Sequence, residues 1–132
     1  MSQAAIELKG IACTFVSDDS GTMSTYTAVK NVDLTVADGE FVSVVGPTGC
    51  GKSTLLNMSA GLLEPSAGTV SIFGEPLVGL NRRAGYMFQA DSLMPWKSAL
   101  DNVAAGLLFE GVPEKEAAQR AREWLARVGL TG

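Results

Sequence analysis

The sequence contains no histidine, and two of its 132 residues are cysteine. Without an imidazole, the chain cannot build a histidine-based nucleophile pair or a histidine-ligated metal centre. The two thiols, Cys13 and Cys50, fall in a strand-like pattern and in a glycine-rich stretch. A disulfide between them would tie down the glycine segment, so both read as free. No apolar run approaches the ~18 residues that cross a bilayer. The opening Met1-Ser2-Gln3 is polar and is no signal peptide. Charge is sparse, at 18% of residues with a formal net of −4, which removes any general attraction to nucleic acid or anionic lipid. These absences point to a cytoplasmic location, with any membrane association made through a partner.

What is present is a globular composition, 46% hydrophobic over 132 residues, enough for one small domain with a real core. Its central stretch is Gly46-Pro47-Thr48-Gly49-Cys50-Gly51-Lys52-Ser53, followed by Thr54. The spacing is G-x-x-x-x-G-K-[ST], a phosphate-binding loop. A triphosphate needs several donors converging on clustered negative charge, and backbone N–H groups converge only where the chain curls tightly. Gly46, Gly49 and Gly51 permit that curl. Lys52 brings a compact ammonium to the β- and γ-phosphates, Ser53 offers a hydroxyl to Mg²⁺, and the helix that starts here adds its N-terminal donors. The flanks agree: Glu40–Val45 reads as a buried strand, and Leu55–Ala60 as a helix with Leu55, Leu56, Ser59 and Ala60 inward. A glycine turn with a chance Lys-Ser is the bland alternative, and the context weighs against it.

Along the chain, Ile6–Phe15 reads as a strand whose apolar phase switches at Gly10, where a bulge would explain the change. Ser17–Thr25 reads as an exposed polar loop. Val32, Leu34 and Val36 alternate with polar residues in a second strand, and Asp38-Gly39 is a hairpin signal into the run before the phosphate loop. Half-exposed antiparallel strands therefore precede a buried one, as in a small β layer attached to an α/β core. Thr69–Phe73 and Gly85–Phe88 read as further strands. Lys97–Phe109 and Pro113–Val128 read as helices, the second with Ala117, Ala121, Trp124, Leu125 and Val128 on one face and Gly129 after its end. A subdomain boundary is expected near Gln89, giving 1–89 and 90–132.

In this order the features resemble the ATP-binding subunit of ABC transporters. The resemblance is carried by the phosphate loop through Leu56, by Ala60-Gly61-Leu62-Leu63-Glu64-Pro65-Ser66-Ala67-Gly68, and by Phe88-Gln89. Leu93-Met94-Pro95-Trp96 and Asp101-Asn102-Val103 resemble the importers of nitrate, sulfonate, taurine and related small solutes. The resemblance implies a P-loop NTPase core of the RecA-like ABC ATPase kind, α/β, with an antiparallel β subdomain and the start of a helical subdomain. It implies ATP and Mg²⁺ as cofactors, held by the loop residues Gly46 to Thr54, with Ser53 and Gln89 at the metal. Lys52 and Gln89 take the catalytic roles, Gln89 as the switch glutamine that meets the attacking water.

Phe15 matches the aromatic that stacks on adenine, with Tyr26 as the second candidate. A flat ring buries a purine face, and a core position is the plain alternative for Phe15. Pro95 and Trp96 match the surface that meets the permease, or equally the packing of a helix start. The partners implied are transmembrane permease subunits, a second ATP-binding subunit arranged head to tail and, indirectly, a solute-binding protein.

The later half of the family pattern has no counterpart here: no Leu-Ser-Gly-Gly-Gln signature, no strand ending in Asp-Glu, no switch histidine. Asp91 follows too short a run to be that catalytic carboxylate. The sequence therefore reads as the N-terminal portion of an incomplete domain, expected to contact Mg-ATP without turning it over alone. Two rival readings are a non-hydrolytic nucleotide-binding module and a soluble ABC ATPase outside transport.

Overall fold

The computed structural model describes residues 4–131 apart from Ser20 and Asp91, so Asp91 lies outside the described residues. Two compact units divide the chain, Met1–Tyr86 and Met87–Gly132.

The first unit is built on a long hairpin. Strand β1 spans Ala4–Asp19 and β2 spans Thr22–Ala37. With β3 (Ala67–Ile72) and β4 (Glu75–Pro76) they form an antiparallel sheet in the order β2-β1-β3-β4. The phase switch at Gly10 is real. The register slips between Leu8 and Ile11, Gly10 takes φ 57°, and its N–H donates to Asp33 Oδ1 at 2.6 Å. The extra residue turns Leu8, Ile11 and Cys13 to one face despite their mixed parity, and all three are buried. Helix α1 (Lys52–Ser59) supplies Leu55 and Met58 to the same core, which Val29, Val70 and Ile72 complete. Both cysteines are free thiols, Cys13 buried and Cys50 exposed.

Three expectations for this unit need correction. The polar stretch Ser17–Thr25 is not a loop; the ladder runs on through Ser17↔Ser24, Asp18↔Met23 and Asp19↔Thr22. The Ser17 and Ser24 hydroxyls hydrogen-bond at 2.6 Å, and the Gly21 N–H reaches Asp18 Oδ1 at 3.1 Å. Polar side chains that bond across the strands thus keep an exposed ladder together without a buried face. In α1, Leu56 points outward and Met58 inward, because the buried stripe follows the i, i+3 pair Leu55 and Met58.

The third correction concerns two strands that do not form. Glu40–Val45 is extended chain with no ladder, and Phe41 is 93% exposed. Gly85–Phe88 likewise forms no strand, and the Tyr86 hydroxyl donates to Asn57 Oδ1 of α1 at 2.5 Å. A strand needs a neighbour's N–H and C=O groups, and among the described residues none runs alongside either segment. The turn at Asp38-Gly39 does form. The Glu40 N–H donates to Ala37 O at 3.1 Å, and Glu40 Oε2 accepts from the Ala37 N–H at 2.7 Å.

The second unit is a helical hairpin of α2 (Ala99–Phe109) and α3 (Glu114–Arg127). Ser98 caps α2. Its hydroxyl accepts from the Asp101 N–H at 3.1 Å and donates to Asp101 Oδ2 at 2.7 Å. That hydroxyl bond holds the Asp101 carboxyl below the usual aspartate range. Asn102 ties the preceding turn to the helix: its side chain accepts from the Met94 N–H and donates to the carbonyls of Met94, Lys97 and Ser98.

The two helices meet through Ala104, Ala117 and Ala121, ringed by Leu100, Leu107 and Val112. The α3 face expected inward is narrower than its apolar pattern. Trp124 and Val128 are exposed, and the guanidinium of Arg127 lies 4.6 Å from the Trp124 ring centroid. An alanine seam brings the helix backbones close, so the larger residues are left at its edge. Each helix closes with the same pair of backbone bonds. In α1, Gly61 N–H reaches Met58 O and Leu62 N–H reaches Asn57 O, and Gly111 and Gly129 hold the equivalent place in α2 and α3. Among the described residues no helix is long and apolar enough to cross a membrane.

Candidate nucleotide-phosphate site

The glycine-rich stretch forms a loop over residues 46–51 and passes directly into α1. Gly51 is the residue before the helix, at φ 94°, and no side chain caps the helix start. The first N–H groups of α1, those of Lys52, Ser53 and Thr54, therefore have neither an intrahelical nor a side-chain acceptor. The first intrahelical bond is that of Leu55 N–H to Gly51 O, 2.9 Å. Gly51 must be glycine for two reasons. Its φ is left-handed, and a Cβ there would come within 2.6 Å of the Ala28 carbonyl oxygen and 2.9 Å of Val29 Cγ2. The loop is thus seated against the backbone of β2.

Lys52 folds back across the loop. Its ammonium donates to Gly46 O at 2.8 Å and Pro47 O at 2.7 Å, with Cys50 Sγ at 3.6 Å. An ammonium has three donors, and here all three point into the loop. A phosphate entering the loop must replace at least one of these carbonyl contacts, which costs little because the charge-assisted bond to a phosphate oxygen is the stronger one. Ser53 is exposed on the first turn and Thr54 is half-buried behind it. Gly46 lets the Cys50 sulfur tuck against the chain, since a Cβ there would lie 2.7 Å from it. Pro47 and Thr48 are exposed at the loop's tip, where the Cys50 N–H closes a turn onto Pro47 O at 3.3 Å.

Phe15 stands directly opposite Tyr26 in the β1–β2 register. Its ring is 43% exposed, so it is not a core residue, and the plain alternative for it is set aside. Tyr26 is more exposed still, but its hydroxyl donates to Gly49 O at 3.2 Å. The structure therefore brings together Gly46 to Thr54 and Tyr26. Gln89 belongs to the second unit, exposed in a bend after Phe88, as is Trp96 in the turn before α2. The seating of Gly51 on Ala28 and the Tyr26 bond carry no sequence signal, because both depend on how β2 is registered and twisted.

The site's parts fit a nucleoside triphosphate. An uncapped helix start and an ammonium stand in one glycine loop, with the exposed Ser53 hydroxyl next to them.

The comparisons with known proteins agree. The ABC transporter family pattern matches residues 29–132. The taurine import ATP-binding protein TauB of Pseudomonas aeruginosa is 49% identical over 102 residues, covering 77% of this chain and 39% of the relative. The protein of the same name from Burkholderia pseudomallei is 45% identical over 106 residues, covering 80% of this chain and 41% of the relative. Among solved structures, a dimeric ATP-binding cassette in a post-hydrolysis state bound to ADP and Pi superposes with TM-score 0.78 at 33% identity, over 92% of this chain and 56% of the cassette. A dimeric bacterial ABC transporter cassette superposes with TM-score 0.77 at 34% identity. The chain thus spans about two fifths of the length of the taurine-import relatives and just over half of the cassettes.

Proposed function

The chain belongs to the ABC transporter family, and from that premise we propose that it supplies the phosphate-binding part of an ATP-driven importer of small solutes of the taurine and sulfonate class. The observation that carries this reading is the Lys52 ammonium held inside a glycine loop that opens onto an uncapped helix start. The loop backbone from Gly46 to Thr54 binds the phosphates, Lys52 neutralises the β- and γ-oxygens, and the Phe15 ring takes the adenine. Mg²⁺, when bound, neutralises charge on the transferring phosphoryl group. Ser53 and Gln89 are the side chains that would hold it.

In this reading Gln89 reports the nucleotide state to permease subunits at the cytoplasmic face of the membrane. The exposed Trp96, carried in a turn that Asn102 braces, faces the same partners. A second ATP-binding subunit completes the site from across a head-to-tail dimer, as the dimeric form of the similar cassettes supports. This chain alone binds Mg-ATP without repeated turnover. By function we assign 1–89 to the nucleotide-binding portion and 90–132 to the helical portion, a division three residues later than that between the compact units, which falls between Tyr86 and Met87.

Calorimetric titration with Mg-ATP tests the reading. Wild type should bind, and Lys52→Ala should weaken binding by at least roughly tenfold, the worth of a charge-assisted hydrogen bond. Equal affinity of the two proteins would refute the assignment of Lys52. Multiple turnovers by the chain alone, abolished by Lys52→Ala, would show that the site is already complete.

A further inference from the structure

Among the described residues, the Tyr26 hydroxyl is the side-chain group from β2 that a hydrogen bond connects to the phosphate loop. It stands two residues before Ala28, whose carbonyl backs onto Gly51, so β2 meets the loop at two neighbouring places. The atom it holds is the Gly49 carbonyl oxygen, at 3.2 Å. In a planar trans peptide the carbonyl and the following N–H point to opposite sides. Drawing Gly49 O toward β2 therefore turns the Cys50 N–H the other way, where it donates to Pro47 O at 3.3 Å. That same oxygen accepts from Lys52 Nζ at 2.7 Å. A continuous chain of contacts thus runs from the phenol through the Gly49–Cys50 peptide and Pro47 O to the ammonium.

We propose that Tyr26 is a positioning residue of the phosphate loop, whose hydroxyl fixes the Gly49–Cys50 peptide plane and through it the seat of the Lys52 ammonium. The inference rests on the nucleotide reading above and adds to it a residue outside the glycine motif. It also separates the two aromatic rings that face each other across the hairpin. Phe15 offers only a ring face, whereas Tyr26 acts through its hydroxyl on the phosphate side. Bonds of this kind polarise one another along a chain, so removal of the phenolic O–H is felt at the far end. Gly49, at φ 82° with open space where a Cβ would be, is free to rotate once the phenol releases it.

The test uses two probes, Mg-ATP and inorganic tripolyphosphate, titrated into wild type, Tyr26→Phe and Phe15→Leu. Tyr26→Phe should weaken both probes by the same factor, about threefold, the effect of one modest hydrogen bond. Phe15→Leu should weaken Mg-ATP and leave tripolyphosphate unchanged. The Cys50 amide resonance should move in Tyr26→Phe, because its N–H shares a conjugated peptide with the released carbonyl, while the melting temperature stays that of wild type. Wild-type affinity of Tyr26→Phe for both probes overturns the inference. A loss confined to Mg-ATP overturns it too, and makes the Tyr26 hydroxyl a contact of the base or ribose instead. If wild type binds neither probe, the nucleotide reading fails and the inference with it; binding that is intact but indifferent to Tyr26→Phe sinks this inference alone.

Discussion

Val70-Ser71-Ile72 and Val42-Ser43-Val44 are nearly the same tripeptide, each in a short β-branched run that reads as a strand. Only the first is one. It lies in β3 with Ile6 opposite Ile72 and Leu8 opposite Val70, and both of its apolar side chains are buried. The second is unpaired, and Phe41 beside it stands almost fully in solvent. Residue preference is the same in the two runs, so the difference lies in the neighbour. β1 offers β3 a row of hydrogen-bonding groups and a buried face, and among the described residues nothing does so for Phe41–Val45. The two runs bracket the phosphate loop unequally. What holds the loop is the paired sheet behind it, through Ala28 and Tyr26, rather than the run that leads into it.

The sharpest way to break that contrast is to cut the same kind of side chain from each region. Leu8→Ala removes a side chain that is 1% exposed, and should cost about 2–5 kcal/mol in urea denaturation followed by circular dichroism. Phe41→Ala should stay within about 0.5 kcal/mol, since its ring contacts little but water. Comparable losses would mean that the leading run is packed after all.

A middle-sized effect is expected where the sheet meets the loop. Gly51→Ala brings a Cβ into the Ala28 carbonyl and forces a left-handed conformation on alanine, whereas Gly49→Ala meets the conformational cost alone. The second should destabilise by about 1–2 kcal/mol and the first by clearly more, with weaker Mg-ATP binding in both. Equal melting temperatures for the two variants would show that β2 does not seat the loop.

The smallest effect belongs to structure that is wholly local. Asp101 has its carboxyl held low by the Ser98 hydroxyl, so the charged form favours the folded helix start. Its contribution is complete above the ordinary aspartate pKa of about 3.9 and fades as pH falls through the lower folded value. Ser98→Ala should lose about 1 kcal/mol of helix stability and weaken that acid dependence, leaving the smaller share set by the Ser98 backbone and Lys97. An unchanged acid limb in Ser98→Ala, read by circular dichroism of the helices, would place the dependence elsewhere.

These regions also show how far the residues alone can be read. The glycine loop running into α1, the bulge at Gly10, the strands around Leu8 and Val70 and the closing glycine after α3 were all legible, because each is written in neighbouring residues. A left-handed turn needs glycine, a phase switch needs an extra residue, and a helix end needs a residue that can leave it. Leu56 and Trp124 were misplaced because periodicity gives an apolar stripe its direction but not its width. The ladder from Ser17 to Ser24 was missed because its polar side chains mimic a loop, although they bond to each other. The resemblance to ABC importers rested on motif order and spacing, and the taurine-import relatives and solved cassettes point the same way.

By itself the sequence determined the chemistry on offer: a glycine loop ending in Lys52 and Ser53, no imidazole, and a ring at Phe15 near the end of a strand. These are local facts, fixed by which side chains and which backbone freedoms occur at which spacing. Tertiary structure alone decided that Tyr26 reaches the Gly49 carbonyl, that Ala28 makes Gly51 irreplaceable, and that one Val-Ser tripeptide is a strand and the other is not. Each of those depends on a partner distant in the chain, delivered by register and twist, and no window of neighbouring residues contains it.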